Sequence, residues 1–465
     1  MSYEDFIGRK LETIAPAGLE PPFTLPESLF PMQQDLVSWA LRRGRAAIFA
    51  DTGLGKTRME VAFADEVCRR TGGDVMILAP LAVAAQTVAE AARMGIVVTQ
   101  CREADDVRPG INITNYDRLH KFDLSRFMGV VPDESSVIKH HTAKLFDQLV
   151  DACKHIPYRL CATATPAPND WTELGTHAEF LGVCTRSEML AEFFVHDGGE
   201  TQTWRLKGHA RHLFWQWVSQ WGACVRKPSD LGYDDTMYQL PPLIETEHMV
   251  EADDTNLIED GMLFALEASS LMERRAARKE SLSGRVHACA DLVNSDPDEP
   301  WIIWGEFNAE TEALVKLIPG AVEIAGPDKA EDKERRLADF AAGKIRVLVT
   351  KASIAGWGLN WQHCARMAFV GVSDSFEAYY QAVRRCYRFG QKREVHVHLF
   401  SSQLEGAVLA NLRRKEQDAR AMGEALAAET SAAVRSAIAG TKRQTNTYNA
   451  NRAVKAPSWL RSETV

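Results

Sequence analysis

No run in this 465-residue chain is apolar for long enough to cross a bilayer, and the N-terminal MSYEDFIGRK mixes charges where an export signal would be hydrophobic. Neither membrane insertion nor export is expected. The cysteines, at positions 68, 101, 153, 161, 184, 224, 289, 364 and 386, are odd in number, scattered, and never form a CxxC pair. That excludes a disulfide framework and a zinc site as readings, and points to a reducing, cytoplasmic compartment. Positive charge is also short: 54 Lys and Arg against 63 Asp and Glu leave a net charge of −9 and a pI near 5.9. Domains that grip nucleic acid by bulk charge often have a pI above about 9, so any nucleic-acid groove here must be local. One basic patch, Lys442, Arg443, Arg452, Lys455 and Arg461 against the single acid Glu463, lies in a Ser, Thr, Asn and Ala-rich end. It reads as a flexible, solvated tail over residues 431–465. No solenoid repeat is present, and no nuclease, methyltransferase or zinc-reading signature accompanies the rest.

What remains is ordinary globular material, 45% hydrophobic and 25% charged, in a chain longer than one core usually serves. Short apolar runs bounded by turns alternate with helical patterns: AAIFA (46–50), VMILAP (75–80), INIT (111–114), MGVV (128–131) and YRLCAT (158–163). A second set follows: WIIWG (301–305), AVEIA (321–325), RVLVT (346–350), MAFVG (367–371) and VHVHLF (395–400). Such alternation predicts an α/β fold of two parallel sheets flanked by helices. The expected divisions are a first domain at 24–170, a helical insertion at 171–240, a linker with a helical protrusion at 241–300, and a second domain at 301–430. Within the middle, Phe214, Trp217 and Trp221 recur at helical spacing. Such a stripe faces a core more often than it stacks on bases. Asn256 to Asn294 reads as a long helical stretch, YQLPPL (238–243) as an extended linker because prolines forbid helix, and Glu405 to Ala427 as one helix.

Three segments carry chemistry. ADTGLGKT (50–57) sits between an apolar strand and the helical RMEVAFADEV. A glycine-bearing loop that opens a helix presents backbone N–H groups and a helix dipole to phosphate oxygens. Lys56 would reach the β and γ phosphates of ATP and Thr57 would bind Mg²⁺. GVVPDESS (129–136) ends a strand in two acids, Asp133 to hold Mg²⁺ and Glu134 to orient and deprotonate water. QAVRRCYRFGQ (381–391) places Arg385 and Arg388 on one helical face, where cations from a second domain could stabilise a transferring phosphoryl group.

In this order the segments resemble superfamily 2 helicases, specifically the Swi/Snf-type branch of DNA translocases, including small versions found in bacteriophages. FPMQQDLVSWAL (30–41) is similar to the branch's adenine-recognition segment and implies that Gln33 reads the base. LAPLAVAAQ (78–86) and TNY (114–116) resemble the segments that grip the nucleic-acid backbone, implying contacts at Pro80, Thr114, Asn115 and Tyr116. TATPAPND (163–170) stands at the coupling motif, and GWGLN (356–360) with Gln381, Arg385, Arg388, Gly390 and Gln391 is similar to the second-domain signature. The resemblance covers roughly residues 29–415 and implies two tandem RecA-like domains with ATP in the cleft. Nucleotide contacts would then come from Gln33, Thr52, Gly53, Leu54, Gly55, Lys56, Thr57, Gly358 and Gln381.

Two departures stand out. Ser135 and Ser136 follow the acid pair where many helicases carry Ala and His or Asp, which implies different coupling from this motif. Pro132 precedes Asp133, and proline donates no ladder bond. Either the strand ends at Val131 or the metal site is perturbed.

The expectation is an ATP-hydrolysing double-stranded DNA translocase in the cytoplasm of a bacterium or phage-infected host. The alternatives are a strand-separating helicase and an ATP-gated nucleic-acid-binding protein with impaired turnover. DNA, duplex favoured, is the expected partner. A protein partner for targeting, the polarity and the oligomeric state stay open.

Overall fold

The computed structural model describes residues 18–80, 83–139, 144–167, 170–196, 204–250, 281–355, 360–371, 375–402 and 406–438. Gly358, the basic residues from Lys442 to Arg461 and most of the expected helix at Asn256 to Asn294 lie outside the described residues.

Two wholly parallel sheets organise the chain. The first runs β3 (Val98–Gln100), β4 (Ile111–Asn115), β2 (Val75–Ala79), β5 (Gly129–Pro132), β6 (Tyr158–Thr163), β1 (Arg45–Ala50), β9 (Gly222–Val225). The second runs β10 (Leu243–Val250), β15 (Val395–Ser402), β14 (Arg366–Phe369), β11 (Trp301–Trp304), β13 (Val347–Thr350), β12 (Val322–Ile324). A small antiparallel hairpin, β7 (Phe194–His196) with β8 (Trp204–Leu206), completes the strands among the described residues. The near-continuous apolar strands follow from burial on both faces. Along β1, Ala46, Ile48 and Ala50 enter one core and Ala47 and Phe49 the other. Along β11, Ile302 and Trp304 divide from Trp301 and Ile303 in the same way. Each sheet is therefore covered on both sides, the doubly wound α/β architecture expected of tandem RecA-like domains.

Several elements depart from the sequence reading. β9 comes from the segment expected to be a helical insertion. Its four residues, GACV, are too short to carry a periodic signal directly after the helix Arg211–Trp221. That helix buries Phe214 and Trp221 in the first domain's core, with Trp217 packed at its edge, so the aromatic stripe is structural. β10 comes from the expected linker. It is an edge strand with mostly exposed or half-buried positions, so LIETEHMV lacks an apolar run. The prolines before it do lead in extended, and Val395 N–H donates to Pro242 O at 3.0 Å.

The last helix, Gly406–Ile438, is longer than expected and ties the domains together. Leu412 is buried in the second domain's core, whereas Leu426, Ala427 and Val434 are buried in the first's. Leu426, Thr430 and Val434 repeat at a spacing of four, which puts them on one face. Residues 431–438 are thus docked helix and not a flexible tail.

The strand does not stop at Val131: Pro132 is its last paired residue. β5 pairs with β2 through Leu78↔Pro132, and Asp133 N–H donates to Leu78 O at 2.7 Å. The missing donor faces the other neighbour. The β5–β6 ladder pairs Gly129 and Val130, lapses, and resumes in the same register as an isolated bridge between Asp133 and Ala162. A central strand tolerates this proline because the interruption falls on one side only.

Candidate active site

The loop after β1 is shaped by two glycines in left-handed backbone conformations, Gly53 at φ 88° and Gly55 at φ 84°. Space demands glycine as well. A Cβ on Gly53 would meet Phe389 N at 2.9 Å, and one on Gly55 would collide with the Gln33 side chain. Lys56 is the first residue of the helix Lys56–Thr71, whose first turn has no acid, so the helix N-terminus and a lysine face one small volume. This is a cradle for an anion such as a phosphate chain. Lys56 Nζ donates to Ala50 O at 2.9 Å. Burial holds its pKa below the usual lysine value despite Glu134 and Asp51 nearby.

Gln33 is buried and doubly engaged: its Nε2 donates to Leu54 O at 2.9 Å and its Oε1 accepts from Phe30 N–H at 3.0 Å. It props the loop from beneath, and each end of the amide keeps one further hydrogen-bonding position.

Asp133 and Glu134 lie across from the loop, both buried. Glu134 has φ 53°, the one positive φ of a non-glycine residue among those described. Such backbone costs about 1–3 kcal/mol and persists where its surroundings over-determine it. Those surroundings are visible. Glu134 Oε1 accepts from Thr163 Oγ1 at 2.7 Å, from Ser136 Oγ at 3.3 Å and from Gln381 Nε2 of the second domain at 3.5 Å. Ser135 turns the other way, its Oγ 3.1 Å from His177 Nε2. Burial and Glu134 push the Asp133 carboxyl up to about 6. Glu60, one turn beyond Thr57 and fully buried against Asp133, is driven well above the usual carboxylate range by burial and by that neighbour. Sequence patterns did not single out Glu60, because a helical glutamate near a surface looks identical.

The second domain supplies arginines, though not from one helical face. The helix Phe376–Val383 stops at Val383, and Arg385 and Arg388 sit on the turns that follow. Arg385 is buried, donating through Nε to Gln381 O and through Nη2 to Gln381 Oε1, both at 2.8 Å. Burial and Arg388 lower it to about 9, which leaves a cation at neutral pH. A cavity of about 230 Å³ between the domains is lined by Lys56, Thr57, Asp133, Glu134, Arg385 and Arg388, with Thr52, Gly53, Gly55 and Gln381 also on its wall. Leu54 is buried beneath the loop.

No three His, Cys, Asp or Glu side chains among the described residues form a metal cage. A divalent cation here would need ligands from a phosphate chain as well as Thr57 and Asp133, the usual arrangement for Mg²⁺.

The proposed nucleic-acid contacts fare differently. Pro80, Thr114 and Asn115 do gather at the carboxyl ends of β2 and β4, but the side chains after Pro80 turn inward. Thr114 Oγ1 donates to Cys101 O at 2.9 Å, Asn115 Oδ1 accepts from Arg118 N–H at 3.0 Å, and Tyr116 OH donates to Asp133 O at 2.7 Å. All three side chains are buried and hydrogen-bonded within the chain. Polar residues at strand ends satisfy buried backbone groups first.

The site is therefore split between two parallel α/β domains, with an anion cradle and acids from one and arginines from the other. Residues 284–390 match the family model of the helicase conserved C-terminal domain, a span that includes β11 to β14 and both arginines. The Sulfolobus solfataricus SWI2/SNF2 ATPase core, solved in complex with double-stranded DNA, is similar at 18% identity over 90% of this chain and 96% of that chain, with a TM-score of 0.41. No curated protein matches the chain.

Proposed function

We propose that this chain is an ATP-dependent nucleic-acid motor, and that its track is double-stranded DNA, along which it translocates or strips bound proteins without separating strands. The observation that carries the reading is the meeting, in one cleft, of a lysine-bearing glycine loop and two arginines from a domain that matches the helicase C-terminal family. A lone glycine loop binds nucleotide; arginines delivered by a second domain make hydrolysis depend on how the domains sit.

ATP with Mg²⁺ supplies the transferable phosphoryl group and neutralises its charge. Of the chain's own residues, Lys56 and the loop N–H groups hold the phosphate chain, and Thr57 and Asp133 hold the cation. Glu134 orients a water and takes its proton, its carboxylate steadied by Thr163, Ser136 and Gln381. Arg385 and Arg388 stabilise charge that develops on the phosphoryl oxygens. Opening and closing of the cleft once per turnover would then step the domains along a phosphate backbone, without reading sequence.

The test is ATP hydrolysis measured with duplex DNA, single strands and RNA, beside Lys56→Ala. Stimulation greatest with duplex and abolished in the variant is expected. Stimulation by no nucleic acid refutes the motor, and displacement of a strand during hydrolysis would favour a helicase.

A further inference from the structure

We infer that Asp51, Tyr380 and Arg384 form a positioning triad across the cleft, one that closes the two domains and thereby sets Arg385 and Arg388 over the phosphate loop. The inference rests on the proposed ATPase reading for its catalytic consequence, although its structural half stands alone.

Asp51 ends β1's extension into the loop, its N–H donating to Val225 O on β9 at 2.9 Å. Its carboxylate is shared between domains. Oδ1 accepts from Thr52 N–H at 2.6 Å, within the loop, and from Tyr380 OH of the second domain at 2.5 Å. Oδ2 lies 3.7 Å from Arg384 Nη2. Arg384 is itself confined between aromatic rings, its guanidinium 5.0 Å from the Tyr380 ring centre and 5.4 Å from that of Tyr387. The pair is only 18% and 19% exposed at its side chains, so solvent screens it less than a surface ion pair. The neighbouring guanidinium holds the Asp51 carboxyl below its usual range even though burial alone would raise it.

The spacing explains why this contact matters to the site. Tyr380 and Arg384 are four residues apart at the end of the helix Phe376–Val383, and Arg385 follows immediately. Pinning the first two on Asp51 fixes the rotation of that turn, and with it the Arg385–Gln381–Glu134 chain of 2.8 and 3.5 Å contacts. Phe389, just past Arg388, packs its backbone against Gly53, so the same turn touches the loop at two points. Asp51 does not line the cavity and acts by placing groups that do, whereas Arg384 also stands on the cavity wall.

The experiment compares the full chain with Asp51→Asn, Arg384→Ala and Arg384→Lys, by small-angle scattering without nucleotide and by duplex-stimulated ATP hydrolysis. Circular dichroism checks that each folds. Asp51→Asn and Arg384→Ala are expected to have a larger radius of gyration and a kcat lowered roughly tenfold or more, with KM for ATP changed less than about threefold. Arg384→Lys keeps the charge and should recover part of both. Variants that scatter and hydrolyse like the parent overturn the triad, as does a fall confined to KM. If the parent hydrolyses no ATP, the proposed function fails and the catalytic half of the triad fails with it; the scattering comparison then upholds or refutes its closing role.

Discussion

Single side chains in this molecule do work that their identity alone conceals. Tyr116 belongs to a segment that resembles a nucleic-acid grip, yet its hydroxyl is spent on Asp133 O. Tyr116→Phe should cost about 1 kcal/mol of stability by thermal melting, the net worth of one buried hydrogen bond, while duplex affinity measured by anisotropy stays within about twofold. A larger loss of affinity at unchanged stability would restore the side chain to the DNA surface. His177 is fully buried against Ser135, and burial lowers its pKa from 6.5 to about 4, with the Glu173 backbone opposing weakly. Because the folded pKa lies below the unfolded one, the stability from keeping this ring neutral is whole above pH 6.5 and is lost as pH falls toward 4. The loss amounts to about 3 kcal/mol at most. His177→Gln should flatten the fall in denaturation midpoint between neutral pH and pH 4.5, and an unaltered pH profile would assign the lability elsewhere.

At the scale of elements, regular patterns predicted the strands that carry an apolar run between turns and missed those too short or too exposed to show one. The ten apolar runs all became strands, and in most of them, β1, β2, β11 and β13 among them, alternate residues enter opposite cores. β3, β7, β8 and β9 escaped as too short, and β10 as too exposed, for hydrophobic pattern to speak. Pro132 shows a different limit. A missing donor matters only on the side where a partner waits, and no pattern says which side that is. Pro132→Leu supplies an N–H to the lapsed β5–β6 ladder and should stabilise the chain by about 1 kcal/mol in denaturant unfolding. Our expectation is that turnover rises with it; equal ATPase rates would show that the proline leaves the acids unperturbed. The helix Gly406–Ile438 makes its own test. Leu426 is 2% exposed in the first domain's core although its helix begins beside the second. Leu426→Ala should cost about 2–5 kcal/mol and lower the unfolding midpoint of the first domain.

For the whole molecule, a net charge of −9 must be reconciled with a polyanionic track. If the proposed function holds, duplex binding depends on local cations, and log K should fall linearly with log salt by about 0.9 for each phosphate contacted, identically for scrambled sequences. A shallow slope or a strong sequence preference would contradict it. Local sequence determined the glycine loop, the acid pair and the alternation of strands and helices, since each depends on neighbours a few residues away. Only the tertiary structure decided that Arg385 and Arg388 sit on a turn and not on a helix face, that Glu60 stands against Asp133, and that Asp51 meets Tyr380 and Arg384. These are meetings of residues far apart in the chain, set by how two covered sheets and one long helix pack, and burial is what turns such meetings into chemistry.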